Sequence, residues 1–404
     1  MGVARRRLLS WILSVALLGV LPPAGQTAPE APAAEMQWLQ TADGRRMGIA
    51  LACDLRRTGE AWRLLGPEPG RPILQPLEAL LPAAEGHASG FAVNGGYWNE
   101  HLFPVGVCAG EAGIYAALSH PSGLALYAGG GVIGPLRTET ILQPQPREAG
   151  EAVAWPAAAD PTAEATLPLI PEGTIPFNPA ALPARTPYVI DFRTYTGPAQ
   201  PRSRVRAVEL EAATTAALRF NQPVELATRA SRIIEKDAIY SAGDRGLVLF
   251  VPLTDEADVD LPDRWRLEAR LRAGDGEDAI AGRPVILATS AGPILMQGGR
   301  LNERLEADPA RASRAERTLA GLDASGTRLW VVALMRGPAG EAGVTLHEAA
   351  EIVQQLGASE ILNLDGGGST SVWAAGAQLA LRALLPLQRP VHHILFFDGV
   401  VGGE

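Results

Sequence analysis

The C-terminal part of the chain reads RLWVVALM (328–335), VTLHEAAEIVQQLGAS (344–359) and EILNLD (360–365). The first run is continuously apolar, which predicts a buried strand. In the second run, Thr345 and Glu348 form a T-x-x-E capping box and Gly357 stands where a helix ends, so a helix is predicted. The third run predicts another strand. From this order we expect an α+β fold, in which a mixed β-sheet with packed helices is interrupted by a proline-rich insertion.

The stretch DGGGSTS (365–371) follows the last of these strands. Three consecutive glycines are expected where the backbone needs positive φ or where another group approaches it closely. A two-residue hairpin turn needs neither three glycines nor two hydroxyl residues, whereas a nest of N–H groups that binds an anion does. A P-loop is excluded because its lysine is missing. The predicted site residues of this loop are Asp365, Gly366, Gly367, Gly368, Ser369 and Thr370.

A second segment, FAVNGGYW (91–98), has the same form of apolar strand, polar residue and glycines. On its own, Asn94-Gly95-Gly96 is more often a hairpin turn than a site. Two such strand ends would nevertheless bring an amide and a carboxylate to one cleft. Arg317 and Arg336 stand near glycine turns, and guanidinium groups bind phosphate oxygens in pairs. A single arginine is more often a solvated surface residue. The prediction of a site therefore depends on the two glycine segments and the arginines taken together.

Taken in order, NGGYW (94–98), AERTLAG (315–321), LNLDGGGST (362–370) and LQRPVHHILFF (387–397) resemble the phosphodiester glycosidase family. The resemblance is strong over residues 283–398, thinner around 89–110 and absent from 130–240. It implies catalytic roles for Asp365, Arg317 and Arg336. It implies substrate binding by Asn94, Gly95, Gly96, Thr318, Gly366, Gly367, Gly368, Ser369, Thr370 and Arg389.

One element departs from the family pattern. Where relatives carry Asp-Gly-Arg, this chain has Leu334-Met335-Arg336. The arginine is kept, and we take Met335 as the replacement of the acid. A catalytically weak or inactive carbohydrate-binding or cell-envelope-binding protein is therefore the main alternative, and a purely structural glycine loop is a third.

The resemblance implies an enzyme that hydrolyses the glycosidic bond of a sugar-1-phosphodiester, such as a GlcNAc-1-phosphate linkage in a glycan or cell-envelope polymer. Asp365 would act as base, as nucleophile or as ligand of a divalent cation, with Asn94 on a sugar hydroxyl or the same cation. No other cofactor is expected. Glycosidic cleavage normally uses two carboxyl groups, and the candidates for the second are Glu100, Glu316 and Glu303.

The rest of the sequence limits the location and the partners. The net charge of −9 argues against a nucleic-acid partner, and the resemblance implies a carbohydrate phosphodiester as the substrate. Three arginines (5–7) precede the uncharged LLSWILSVALLGVL (8–21), a signal-peptide pattern too short for a comfortable membrane span. We expect cleavage and a periplasmic or secreted protein without a stable membrane span; an uncleaved anchor is the alternative.

The predicted organisation has five parts. They are a leader (1–34), the first part of the catalytic domain (35–136), a Pro/Ala-rich linker or insertion (137–187), a strand-rich insertion or subdomain (188–280) and the C-terminal part of the catalytic domain (281–404). Cys53 and Cys108 would form one disulfide or stay as two buried thiols. His392 and His393 lie in a predicted strand, would face opposite sides, and receive no catalytic role.

Overall fold

The structure is a computed structural model that describes residues 32–66, 74–81, 90–99, 102, 104–145, 165–167, 169–170, 187–192, 199–212, 218–241, 246–253, 262–274, 280–303, 305, 312–337, 339–375, 377, 381, 389–399 and 401. The predicted signal peptide, most of the Pro/Ala-rich segment and Glu100 lie outside these residues. Among the described residues, no helix is both long and apolar enough to cross a membrane.

Strands dominate the described part of the chain, so the α+β prediction is wrong and the fold is mostly β. The described α-helices are α1 (Leu55–Thr58), α2 (Leu77–Leu80) and α3 (Leu346–Gln355), and the first two are single turns. The prediction failed because one strand–helix–strand unit was generalised to the whole domain. The remaining apolar runs pair with one another in largely antiparallel sheets, with one parallel pair between Leu169–Ile170 and Tyr188–Asp191, instead of carrying helices.

A seven-stranded sheet carries the C-terminal motifs, and its neighbouring strands are antiparallel. In order across the sheet, its strands are β1 (Ala34–Gln40), β2 (Arg46–Asp54), β20 (Arg328–Leu334), β19 (Arg317–Leu322), β21 (Glu360–Asn363), β17 (Ile294–Gln297) and β18 (Arg300–Leu301). Strand β19 lies between β20 and β21, which therefore run parallel to each other.

Helix α3 covers one face of this sheet. Its capping box at Thr345 and Glu348 is present as predicted, and Gly357 has a φ of +109°. Alternate side chains of β20 face opposite sides, as the period of a strand requires. Val332 packs with the helix, whereas Val331 faces the other core.

A four-stranded sheet packs against that second core, which also receives Cys53 and Cys108 as free, buried thiols. Its antiparallel strands, in order, are β22 (Val372–Ala374), β4 (Phe91–Asn94), β23 (Ile394–Phe397) and β3 (Trp62–Leu65). Because β4 and β22 pair, the two segments that carry the glycine turns are neighbours.

The largest sheet has twelve strands and joins residues on both sides of the Pro/Ala-rich segment. In order, its strands are β10 (Leu169–Ile170), β11 (Tyr188–Asp191), β14 (Leu247–Pro252), β12 (Val205–Ala212), β13 (Val224–Ile234), β15 (Arg264–Ala273), β8 (Gly130–Gln145), β7 (His120–Tyr127), β16 (Val285–Ser290), β5 (Val107–Gly110) and β6 (Gly113–Ala117), with β9 (Ala165–Leu167) paired to β8. The C-terminal end of β16 approaches the glycine turn that follows β4.

Candidate functional site

The ends of β4 and β21 bring the two glycine segments together. We call Asn94-Gly95-Gly96 the first turn and residues 365–370 the Asp365 loop. The side-chain Nδ2 of Asn94 donates to the backbone oxygen of Asp365 at 2.7 Å. The backbone oxygen of Gly95 accepts from the N–H of Asp365 at 3.1 Å. The first turn therefore holds both backbone groups of Asp365.

Asn94 is 1% exposed, and its side chain is fully occupied by protein groups. Its Oδ1 accepts from the Thr318 hydroxyl at 2.7 Å and from the Ser371 N–H at 3.0 Å. Its Nδ2 also lies 3.4 Å from the oxygen of Gly95. An amide oxygen has two lone pairs and an amide nitrogen two hydrogens. In this structure Asn94 and Thr318 therefore join the strand ends; Asn94 has no free atom for a sugar or a cation, and Thr318 is fully buried.

The first turn contains glycines because other groups occupy the space of a side chain. A Cβ at Gly95 would lie 2.2 Å from the His393 ring, and a Cβ at Gly96 would lie 1.9 Å from the backbone oxygen of Ser290. The N–H of Gly96 donates to Nε2 of His393 at 3.0 Å. This turn is a buried packing site, which is one of the two uses of consecutive glycines that the sequence allows.

The Asp365 loop uses its glycines differently. Gly367 has a φ of +59°, which favours glycine, and a Cβ there would meet no atom within 4 Å. Its N–H donates to the backbone oxygen of Glu316 at 2.8 Å. Gly368 is exposed, and a Cβ on it would lie 2.9 Å from Nε of Arg389. The loop thus presents an open face on which an arginine side chain lies.

The carboxyl group of Asp365 is half-buried at the start of this loop. Burial raises its pKa above the ordinary value, while hydrogen bonds from the Ser369 side chain and the Gly366 N–H and the charge of Arg389 oppose the rise. Burial thus has the largest influence on this carboxyl. A carboxyl group with a raised pKa beside a cation has the character of many catalytic acids and bases.

Arg389 lies against the Asp365 loop. Its Nη2 donates to the Ser369 hydroxyl at 2.8 Å, and its backbone N–H donates to the oxygen of Gly368 at 3.1 Å. Ser369 is itself buried, and the neighbouring Thr370 is 1% exposed, with an Oγ1 that has no hydrogen-bond partner among the described residues. Arg389 is therefore the cation most directly attached to the loop.

Arg317 approaches the loop at Gly366. Its Cδ is 3.6 Å from the position of a Cβ on Gly366. Its Nη2 donates to the Ser313 oxygen at 2.8 Å, and its Nε lies 3.4 Å from the Val344 oxygen. Burial lowers its pKa, and the electrostatic influence of Tyr97 and Glu316 raises it. Two arginines thus lie near the Asp365 loop.

Arg336 is half-buried after β20, where its N–H donates to the backbone oxygen of Met47. Its guanidinium makes no hydrogen bond or ion pair with the described residues. The preceding Leu334 and Met335 are buried in the cores on opposite faces of the seven-stranded sheet. No carboxylate replaces the missing acid at these two positions.

The other acids predicted for the site are placed unequally. Glu316 is half-buried, and its backbone supports the Asp365 loop, whereas Glu303 is exposed after β18. Within the described part of the chain, no group of three His, Cys, Asp or Glu side chains could hold a metal ion. A divalent cation at Asp365 stays a prediction.

Three residues of this region were not predicted from the sequence. The Tyr97 hydroxyl donates to the Gly292 oxygen and accepts from Nδ2 of Asn363 at 2.9 Å. His393 is buried behind the first turn. Tyr97 stood within the quoted NGGYW, whereas the contacts of Asn363 and His393 join residues far apart in sequence and leave no local signal.

Comparisons with known proteins concern the sequence and the fold. The phosphodiester glycosidase family model matches residues 228–397, a region that includes the Asp365 loop and its arginines but not the first turn. No curated protein matches the sequence.

Solved structures show the fold. A hypothetical protein from Synechocystis has 20% identity and a TM-score of 0.55, over 90% of this chain and 61% of that one. The chain thus spans less than two thirds of that relative. A protein from Burkholderia pseudomallei K96243, named as a candidate exported protein, has 18% identity and a TM-score of 0.50, over 89% and 76% of the two chains.

A third structure is the catalytic domain of zebrafish N-acetylglucosamine-1-phosphodiester alpha-N-acetylglucosaminidase. It aligns with 13% identity and a TM-score of 0.37, over 92% of this chain and 85% of that one, a likeness too low to support an argument. The sequence match therefore carries the comparison: residues 228–397 of this chain match the phosphodiester glycosidase family model.

Proposed function

We propose that the protein is an exported phosphodiester glycosidase that hydrolyses the bond between the anomeric carbon of a sugar and the oxygen of a phosphodiester. One observation carries the proposal: the half-buried carboxyl of Asp365, with its raised pKa, is subject to the charge of Arg389, on a loop that the first turn holds by its backbone and that Arg317 approaches at Gly366. A GlcNAc-1-phosphate linkage in a glycan or cell-envelope polymer is the substrate class that we put first.

The chemistry needs little from a second acid. The oxygen of water forms a bond to the anomeric carbon, and the bond from that carbon to the phosphate oxygen breaks. The phosphate monoester leaves with the electron pair, and the water proton passes to a base. Because a phosphate leaving group is already acidic, it needs little protonation, in contrast to the alcohol of an ordinary glycoside. As a base, the single carboxylate of Asp365 takes that proton. As a nucleophile, it first bonds to the anomeric carbon while the phosphate leaves, and water then displaces the carboxylate, which takes the proton.

The arginines supply the charge that the leaving group needs. Arg389 lies across the exposed Gly368, and Arg317 lies beside Gly366. Two guanidinium groups near the same loop suit a phosphate whose negative charge grows as the bond breaks. In this arrangement Asp365 acts on the sugar and the arginines hold the phosphate.

Export is a proposal from the N-terminal sequence. Arg5, Arg6 and Arg7 followed by the apolar run 8–21 support a signal peptide. The name of the Burkholderia protein, a candidate exported protein, points the same way. A periplasmic or secreted protein would meet cell-envelope glycans, which agrees with the proposed substrate class.

A carbohydrate-binding protein with little or no turnover is the second candidate. The observation in its favour is that Leu334 and Met335, where relatives carry an acid, are 0% and 3% exposed apolar residues. If that acid is essential to the reaction, the site would bind a sugar phosphodiester and release it unchanged.

One experiment separates these candidates. The purified protein is incubated with a GlcNAc-1-phosphodiester of a chromogenic alcohol, in water enriched in the heavy oxygen isotope, with and without EDTA. Release of sugar with the heavy isotope on its anomeric carbon is expected, since the glycosidic bond breaks. Heavy isotope in the phosphate would contradict the proposal by indicating phosphodiesterase chemistry. Binding measured by calorimetry without any product would favour the binding protein, and loss of release in EDTA would indicate a cation.

A further inference from the structure

His393 contacts the first turn through its ring and through its backbone. Nε2 of the ring accepts from the N–H of Gly96 at 3.0 Å and lies 2.9 Å from the Thr289 hydroxyl. The backbone oxygen of His393 accepts from the N–H of Gly95 at 2.9 Å. His393 is 2% exposed. The N–H groups of both glycines of the turn are thus bound to one residue.

These contacts determine the protonation of the ring. A nitrogen that accepts from a backbone N–H carries no proton, so the proton of the neutral ring is on Nδ1 and the Thr289 hydroxyl is the donor. Burial, with a smaller influence from His392, lowers the pKa of His393 to about 3. The ring therefore stays neutral, and Nε2 stays an acceptor, at any pH near neutrality.

The contacts continue from His393 through the first turn to the backbone of Asp365. The backbone oxygen of Gly95 accepts from the N–H of Asp365 at 3.1 Å, and Nδ2 of Asn94 donates to the oxygen of Asp365 at 2.7 Å. These two bonds join the first turn to both backbone groups of Asp365. Displacement of the first turn would therefore move the backbone of Asp365.

We propose that His393 is a positioning residue: by accepting the Gly96 N–H at Nε2, it fixes the first turn, and the first turn fixes Asp365 for the reaction. The effect on rate depends on the proposed glycosidase function, whereas the effect on the two loops does not. His393 touches neither the carboxylate nor the open face of the loop in the contacts described above, so it acts only through Gly96 and Gly95.

The test uses three variants. His393→Leu keeps a similar side-chain volume but removes the Nε2 acceptor. His393→Gln places an amide oxygen near the position of Nε2 and can accept the same N–H. His392→Leu is the matched control, because His392 is 4% exposed and its side chain makes no hydrogen bond with the described residues.

Two measurements are made on each variant. Hydrogen exchange of segments 94–97 and 365–370 reports on the loops, and sugar release gives kcat and KM. In His393→Leu we expect exchange in both segments to be at least about tenfold faster. We expect kcat to fall by about a hundredfold with KM changed little, because a small misplacement of a reacting group has that effect. His393→Gln is expected to recover most of both properties.

Equal exchange in His393→Leu and His392→Leu would overturn the proposal, as would faster exchange in segment 94–97 alone. If His393→Leu does not fold, His393→Gln decides: slow exchange in both segments, like that of the wild type, supports the acceptor role, and fast exchange contradicts it. If the wild type releases no sugar from any phosphodiester, the proposed function fails while the exchange measurement still decides whether His393 holds the two loops.

Discussion

The two glycine turns have the same sequence form but different surroundings. The first turn is buried, and its glycines are there because His393 and Ser290 occupy the space of a side chain. The Asp365 loop is partly exposed, and Gly367 is there because the backbone has a positive φ. The comparison teaches that a strand–polar–glycine motif can hold a site from behind or present it to a ligand. Burial, and not the motif, separates the two.

The largest difference in stability is expected between alanine substitutions in the two turns. Gly96→Ala places a Cβ against a backbone oxygen that cannot move alone, and we expect a loss of more than about 3 kcal/mol. Gly367→Ala meets no atom and has only the strain of its φ, at about 1 to 2 kcal/mol. Urea unfolding of both variants measures this. Equal losses would remove the distinction between the turns.

Asn94→Ala tests the link between the turns. It leaves the Thr318 hydroxyl, the Ser371 N–H and the Asp365 oxygen without their partner, so we expect a loss of about 2 to 3 kcal/mol and slower sugar release. The control is Thr318→Val, which removes one of these bonds and should lose about 1 kcal/mol. A free energy of unfolding that is unchanged in Asn94→Ala would show that the amide is not a structural link.

These contacts also show how far the sequence could predict the molecule. The capping box of Thr345 and Glu348 was predictable because its partners are three residues apart. The hydrogen bond between Thr318 and Asn94 joins residues 224 positions apart, and that from Gly96 to His393 spans 297 positions. No local pattern reports such a contact. The sequence therefore predicted that the two turns meet at one cleft, but not that the side chain of Asn94 is occupied by protein groups.

The fold class was missed for a related reason. The crossover from β20 through α3 to β21 was predicted, and the two strands do run parallel. Strand β19, which precedes both in sequence, inserts between them and makes every neighbouring pair antiparallel. Strand order depends on which apolar faces meet in the folded chain. The strands of residues 188–280 likewise complete a sheet with residues 107–145, which their own sequence does not indicate.

On the open side, Arg389→Lys should change activity and not stability. A lysine cannot bind the Ser369 hydroxyl and a phosphate with the same planar fork, so we expect kcat/KM to fall by about tenfold. The unfolding free energy should change by less than about 0.5 kcal/mol, since the residue is exposed. Arg56→Lys, in an exposed ion pair with Asp54, is the control. Wild-type kcat/KM in Arg389→Lys would contradict phosphate binding by this residue.

The smallest effect is a pH dependence of stability. Burial raises the pKa of Asp365 above 3.8, so its favourable contribution is present below that pH and is lost as pH rises through the raised value. Relative to the wild type, Asp365→Asn should therefore gain stability between about pH 4 and about pH 7. Urea unfolding at the two pH values measures this.

The pKa of Asp323 is shifted in the opposite direction, so its effect on stability has the opposite pH dependence. Burial alone would raise this pKa, but hydrogen bonds from Arg328, Ser325 and Thr327 together lower it below the ordinary value. Its contribution is present above the ordinary pKa and is lost as pH falls, so Asp323→Asn should lose stability relative to the wild type as pH rises. If the two variants follow the same trend, the account of the Asp365 environment is wrong.

The most direct test of the central claim measures sugar release and unfolding in Asp365→Asn. Asp237→Asn is the control, since Asp237 has a φ of +61°, which asparagine tolerates, and lies outside the site. We predict that Asp365→Asn loses about a thousandfold in kcat, within the range for a general acid or base, while its stability at neutral pH equals or exceeds that of the wild type. Retained release, or a loss of release that only follows a loss of folding, would contradict the claim that the Asp365 loop performs the chemistry and the first turn holds it.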